Sequence, residues 1–193
     1  GIKPTPTIGG VGLIKDYKQM ISMDFKKIDN LVLMIGKTEG HLDQSLFARA
    51  ILDEKNGPPP EVNLFNEKNN GESLLDLMSK NYIKSAHDIS LGGILIGLSK
   101  MCIKGNKGIK LKKSKNLINE IEYYFSEDQG RYIIEIESKD LKKVTEILEK
   151  NSVHYEELGI ITGKDMIINE KTKVSIDELK TYNNNWLINY MSS

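Results

Sequence analysis

The most constraining feature of this 193-residue sequence is Ser85-Ala86-His87-Asp88-Ile89-Ser90-Leu91-Gly92-Gly93, followed at once by Ile94-Leu95-Ile96-Gly97-Leu98. It reads as a strand end, a glycine turn and the first turns of a buried helix. The glycine pair permits backbone angles that a residue with a Cβ resists, so the chain can reverse tightly there. Free N–H groups at the start of the following helix favour anions, and His87 and Asp88 are expected in the same corner. Two readings stay open on these residues alone. One is an anion- or nucleotide-handling corner built from His87, Asp88, Gly92 and Gly93; the other is a tight connection whose polar groups merely satisfy the turn.

Such a connection needs a core to pack on, and the chain is long enough to bury one. Lys+Arg and Asp+Glu both number 27, so the formal net charge is zero. That balance argues against a protein whose main business is gripping nucleic-acid phosphates, although Lys104 to Lys115 form a local basic stretch. The single cysteine, Cys102, lies among Leu98, Met101 and Ile103 and reads as a buried structural thiol, with no disulfide or CxxC metal framework available. No apolar run reaches the about 18 residues of a membrane span, and no basic-then-apolar leader opens the sequence. A cytoplasmic location is expected, and the start at Gly1 reads as a piece of something longer.

Residues 1–8 form an extended lead-in set by Pro4 and Pro6, and residues 9–193 are expected to make one domain. Gly9 to Ile14 predicts a glycine-rich strand. Leu31-Val32-Leu33-Met34-Ile35 is a continuous apolar run and predicts a fully buried strand. The Gly36-Lys37-Thr38 triplet is not a P-loop, because that motif needs a glycine where Leu31 stands. Ser45 or Asp43 is a candidate cap for a helix carrying Leu46, Phe47 and Ala50, and His41 reads as a loop histidine. Asn56 to Pro60 is a stiff connector. One or two helices follow from Asn63, with Asn70-Gly71 as a possible break. Tyr82 to Ala86 predicts a strand, Ile94 to Cys102 a helix, Ile109 to Leu111 a short strand and Asn116 to Ile121 a short helix.

The second informative stretch is Tyr124-Phe125-Ser126-Glu127-Asp128-Gln129-Gly130-Arg131. Ser126 and Gln129 match a capping box with room for at most one helical turn. Two carboxylates, an amide and a guanidinium in five residues can hold Mg²⁺ or a hydroxyl-rich phosphorylated ligand; a solvated loop with a surface ion pair is the plainer reading. Tyr132 to Ile136 then predicts a half-exposed strand. Beyond it come a helix capped by Ser138, strands at 155–161, 165–168 and 173–176, and a last helix capped by Asp177. Trp186, Leu187 and Tyr190 are expected to cover the sheet.

Four pieces carry a resemblance. They are Pro4-Thr-Pro-Thr-Ile-Gly-Gly-Val-Gly-Leu-Ile14, Ile35-Gly-x-Thr-x-Gly-x-Leu-x-Gln-Ser45, Ala86-His-Asp-Ile-Ser-x-Gly-Gly93 and Phe125-Ser-Glu-Asp-Gln-Gly-Arg-Tyr132. In this order and spacing they resemble the C-terminal domain of the small bacterial phosphoribosylformylglycinamidine synthases, within the aminoimidazole ribonucleotide synthetase C-terminal superfamily. The resemblance implies an α/β (α+β) fold, a mixed β-sheet packed with helices and partly ferredoxin-like. It implies a ligase that makes formylglycinamidine ribonucleotide from formylglycinamide ribonucleotide, ATP and glutamine-derived ammonia, in de novo purine biosynthesis.

ATP and Mg²⁺ are the implied cofactors of the whole enzyme, with none expected in the isolated domain. The implied partners are the preceding domains of the same polypeptide, a glutaminase subunit and a small bridging subunit, with no nucleic acid and no membrane. The chemistry is implied to lie mainly in other domains, so no catalytic or metal-ligating residue is assigned and the isolated fragment is expected to be inactive. Glu127, Gln129 and Arg131 match by position the substrate-site motif of the family's other domain copy, with His87, Asp88, Gly92 and Gly93 as the adjoining corner. Because this chain resembles the second copy, an auxiliary, structural nucleotide site is the other implied reading of the cleft. Leu91 stands where the family usually has aspartate and Asp43 where it usually has glycine. A free-standing nucleotide- or phosphate-binding regulatory module, or a purely structural domain, are the alternative readings.

Overall fold

Strand β1 (Leu31–Ile35) is apolar throughout because both its faces are covered. Val32 and Met34 point to one side of the sheet, and Leu33 and Ile35 to the other, as the period of two requires. The computed structural model of this chain describes residues 6–14, 16–114, 118–169 and 172–192. Its other strands are β2 (Ile83–Asp88), β3 (Gly108–Leu111), β4 (Tyr132–Ile136), β5 (Tyr155–Thr162), β6 (Asp165–Ile168) and β7 (Thr172–Ser175). The helices are α1 (Leu46–Ile51), α2 (Leu64–Ser79), α3 (Gly93–Gly105), α4 (Glu120–Phe125), α5 (Leu141–Lys150) and α6 (Ile176–Ser192).

The strands form one seven-stranded mixed sheet in the order β2-β4-β1-β5-β3-β6-β7. All neighbours are antiparallel except β3 and β6. The order β2-β4-β1-β5, with α2 linking β1 to β2 and α5 linking β4 to β5, is a ferredoxin-like βαββαβ unit. Leu77 of α2 and Val144 and Leu148 of α5 bury against Leu33, Ile35, Ile134 and Ile136 on one face. Ile94, Leu98, Met101 and Cys102 of α3, with Tyr123 and Tyr124 of α4, bury against Val32, Met34 and Ile133 on the other. Burial pushes the Cys102 thiol up to about 12, consistent with the inert structural thiol expected from its apolar surroundings.

The glycine turn forms as read. Gly92 and Gly93 have φ of 83° and 71°, and α3 starts at Gly93. A Cβ on Gly93 would lie 2.6 Å from the Tyr124 carbonyl oxygen and 2.7 Å from that of Ser126. Gly93→Ala should therefore cost about 1–3 kcal/mol through strain and crowding, measured as a lowered urea midpoint at constant slope. An unchanged midpoint would mean that the α3–α4 contact yields easily.

Several local expectations are corrected. Residues 9–14 form no strand; they are exposed, and no strand among the described residues pairs with them. Asn70-Gly71 does not break α2, because Asn70 is buried and donates to the Gly130 carbonyl at 2.9 Å. The short helix after β3 starts at Glu120, capped by Asn119, and residues 115–117 lie outside the described residues. Residues 126–129 form no helical turn. Ser138 opens a 3₁₀ turn ahead of α5, and Ser175 rather than Asp177 caps α6. Tyr132–Ile136 is buried at four of its five positions rather than half-exposed. Trp186, Leu187 and Tyr190 stand in solvent, since only the first turn of α6 reaches the core. Among the described residues no helix is long and apolar enough to cross a membrane.

Candidate functional site

Three loops meet at one end of the sheet: the segment after β1, the turn before α3 and the 126–131 loop before β4. The 126–131 loop fastens the other two. Asp128 accepts the backbone N–H groups of Glu39 and Gly40 on Oδ2, at 3.0 and 3.1 Å, and that of His41 on Oδ1 at 3.1 Å. Glu127 donates its own N–H to the His41 carbonyl at 3.1 Å. A carboxylate receiving several backbone donors is among the stronger hydrogen-bond arrangements.

Arg131 lies beneath this junction with its side chain fully buried. Nε donates to the Asp128 carbonyl at 3.1 Å, Nη1 to Thr38 Oγ1 at 2.9 Å and Nη2 to the Ser126 carbonyl at 2.7 Å. Burial draws the Arg131 pKa below its ordinary value, against the opposing pull of the Asp128 charge. The guanidinium thus faces the protein interior rather than the cleft.

Glu127 answers the question posed by the glycine turn. Its Oε1 accepts the N–H of Gly92 at 2.8 Å, just ahead of α3, and the N–H of Leu46 at 2.7 Å, at the start of α1. The anion at this corner is the chain's own carboxylate. Local sequence placed donors there and left the acceptor open; a residue 35 positions along the chain supplies it.

His87 and Asp88 end β2 side by side, with Nδ1 of His87 3.1 Å from Oδ1 of Asp88. The Asp88 side chain is mostly exposed, whereas that of His87 is nine-tenths covered, with a buried Nε2. Burial lowers the His87 pKa below 6.5; Lys100 adds to the effect, and Asp88 opposes both. Folded His87 therefore binds its proton less readily than unfolded His87. Stability is retained above the ordinary value near 6.5 and falls as pH drops through it. Urea titrations between pH 7.5 and 5 should show this loss, and His87→Gln should flatten it; an identical slope in the variant would exclude His87 as its source.

The exposed motif side chain is Gln129. It borders two depressions. The smaller, about 350 Å³, is lined by Asp43, Glu67, Asp88, Leu91 and Glu127 among others. The larger, about 620 Å³, has His41, Asn63, Asn66 and Asn70 on its wall. Glu67 and Asn70 come from the long helix α2; in the sequence Asn70 stands out only as half of a possible Asn-Gly break, and Glu67 carries no signal beyond polarity on a helix. Carboxylates dominate the smaller depression, and Arg131, which also borders it, has no exposed side chain. Such a surface suits hydroxyl or amine donors better than phosphate. No group of three or more His, Cys, Asp or Glu side chains among the described residues is arranged to hold a metal ion. Both Asp128 oxygens and Glu127 Oε1 already accept backbone N–H groups, which leaves too few free donor oxygens for Mg²⁺ to fit this loop as it stands.

Residues 27–169 match the family model described as AIR synthase related protein, C-terminal domain. The chain belongs to this family. A curated relative of this AIR synthase related domain, the phosphoribosylformylglycinamidine synthase subunit PurL of Pelagibacter ubique, is 67% identical over 193 residues, covering 100% of this chain and 26% of the relative. The chain thus spans about a quarter of the length of the curated relatives it matches. Among solved structures, Thermotoga maritima PurL complexed with FGAR aligns with TM-score 0.71 at 16% identity, covering 84% of this chain and 30% of the other. The PurLQS structure from the same organism aligns with TM-score 0.64 at 18% identity, over 84% of this chain and 28% of the other. At these identities the structural matches establish the shared fold, including the mixed sheet and its helices.

Proposed function

We propose that this AIR synthase related domain forms the C-terminal part of a phosphoribosylformylglycinamidine synthase. The whole enzyme would convert formylglycinamide ribonucleotide, ATP and glutamine-derived ammonia to the amidine. The observation that carries the reading is 67% identity along the entire chain to a PurL subunit about four times as long. ATP and Mg²⁺ belong to the whole enzyme in this reading, with a glutaminase and a small bridging subunit as partners and the cytoplasm as its location. The domain's own role is to present Gln129 at the edge of the cleft, on a loop that Glu127, Asp128 and Arg131 hold in place. His87, Asp88, Gly92 and Gly93 form the adjoining wall.

The test is turnover. The full-length polypeptide containing residues 1–193, given formylglycinamide ribonucleotide, ATP, Mg²⁺ and ammonium, should release ADP and the amidine in equal amounts. The 193-residue chain alone should release neither. Failure of the full-length polypeptide to turn over would remove the reading, and turnover by the short chain would remove the claim that the reacting groups lie elsewhere.

A further inference from the structure

The family match ends at residue 169, yet the chain continues into α6, which begins at Ile176. Ile176 and Leu179 seat the first turn of α6 on the core. From Thr181 to Ser192 every residue is exposed, a length of about 18 Å at 1.5 Å per residue. This stretch contains no charged side chain, in a sequence that is 28% charged. Tyr182, Trp186 and Tyr190 follow Leu179 at helical spacing, so they continue the face that docks on the core. Their exposures are 72%, 65% and 66%. The Trp186 and Tyr190 rings stack with centroids 5.6 Å apart and border a groove of about 430 Å³, with Asn185 and Asn189 on its other wall.

An uncharged aromatic stripe left in water is costly, because each ring buries about 150–250 Å² when covered. We infer that the distal face of α6 is a docking surface for another domain of the same polypeptide, which presents an uncharged, apolar face with amide or backbone groups opposite Asn185 and Asn189. The relative that matches this chain from end to end has about three quarters of its length outside the match, so a covalently attached occupant exists for a sequence of this kind. Tethering supplies an effective concentration near millimolar, and a small interface then suffices where free association of two copies would need more area. The inference rests on the proposal that residues 1–193 lie within a longer synthase chain.

Hydroxyl-radical footprinting of the full-length polypeptide reads the surface directly. Trp186 and Tyr190 should label about tenfold more slowly than freely exposed aromatic residues, near the rates of buried Tyr123 and Tyr124. Labelling at exposed rates overturns the inference. So does protection that disappears on dilution while light scattering reports a dimer dissociating, because the occupant is then a second copy. Trp186→Glu should release Tyr190 while Tyr123 and Tyr124 stay protected; if those two are also released, the variant has unfolded and the unsubstituted protein's rates decide. Turnover measured on the same sample separates the two proposals. An active, unprotected enzyme removes the docking surface alone, and a protected, inactive one removes the proposed function alone.

Discussion

Replacing Glu135 by alanine is expected to cost about 3–5 kcal/mol, a large fraction of the 5–15 kcal/mol that holds a typical domain folded. Glu135 is fully buried in β4. One carboxylate oxygen accepts the Lys26 N–H at 2.8 Å and the Ser85 hydroxyl at 2.8 Å. The other accepts the Lys27 N–H at 3.0 Å and the Asn30 amide at 2.7 Å. The carboxylate therefore fastens the segment leading into β1 onto β2 and β4. Alanine leaves the buried Ser85 and Asn30 donors without an acceptor, at about 1–3 kcal/mol each, while the part-buried Lys26 and Lys27 N–H groups lose less. Glu135→Gln keeps the shape and part of the acceptance, so it should fall between the two. Urea unfolding provides the measurement; a loss below about 1 kcal/mol for alanine would show that water replaces the carboxylate without penalty. Amide exchange should rise first at residues 25–30.

Arg131→Met should be comparably damaging, at about 3–5 kcal/mol. Methionine fills much of the volume but provides none of the donors that reach the Ser126 and Asp128 carbonyls and the Thr38 hydroxyl. It also removes the cation 3.8 Å from the nearly buried Asp128 carboxylate. Arg131→Lys retains the charge but not the planar fork, so it should recover only part of the loss. Loosening should appear at Glu39, Gly40 and His41, whose N–H groups Asp128 holds, as faster exchange than in the centre of β1. Full recovery by lysine would show that charge alone is required there. Equal exchange throughout would show that the loops do not depend on this guanidinium.

Both predictions concern charged side chains whose settings were not legible locally. Glu135 sits in a run read as a half-exposed strand, because a single carboxylate among apolar residues looks like an outward-facing position. Only the packing of the 25–30 segment over that face of β4 turns it inward. Arg131 and Glu127 share a motif of exposed-looking polar residues, yet one is buried beneath the loop and the other bridges two backbone N–H groups. Each partner lies far away in sequence: Thr38 is 93 residues from Arg131, and Leu46 is 81 from Glu127.

What the sequence determined by itself is part of the local structure, chiefly the elements at the centre of the fold. The apolar run of β1, the glycine turn before α3 and the helical spacing of Ile94, Leu98 and Cys102 follow from side-chain periodicity and from backbone angles open to glycine. The four motifs in order also carried the family and its mixed fold. The tertiary structure decided which polar groups face a cleft and which face the protein. Local patterns specify where hydrogen-bond donors and acceptors occur, whereas pairing across the fold specifies which are already satisfied. The corner read first as an anion site is the clearest case: the glycine turn built the donors, and the fold brought Glu127 to meet them.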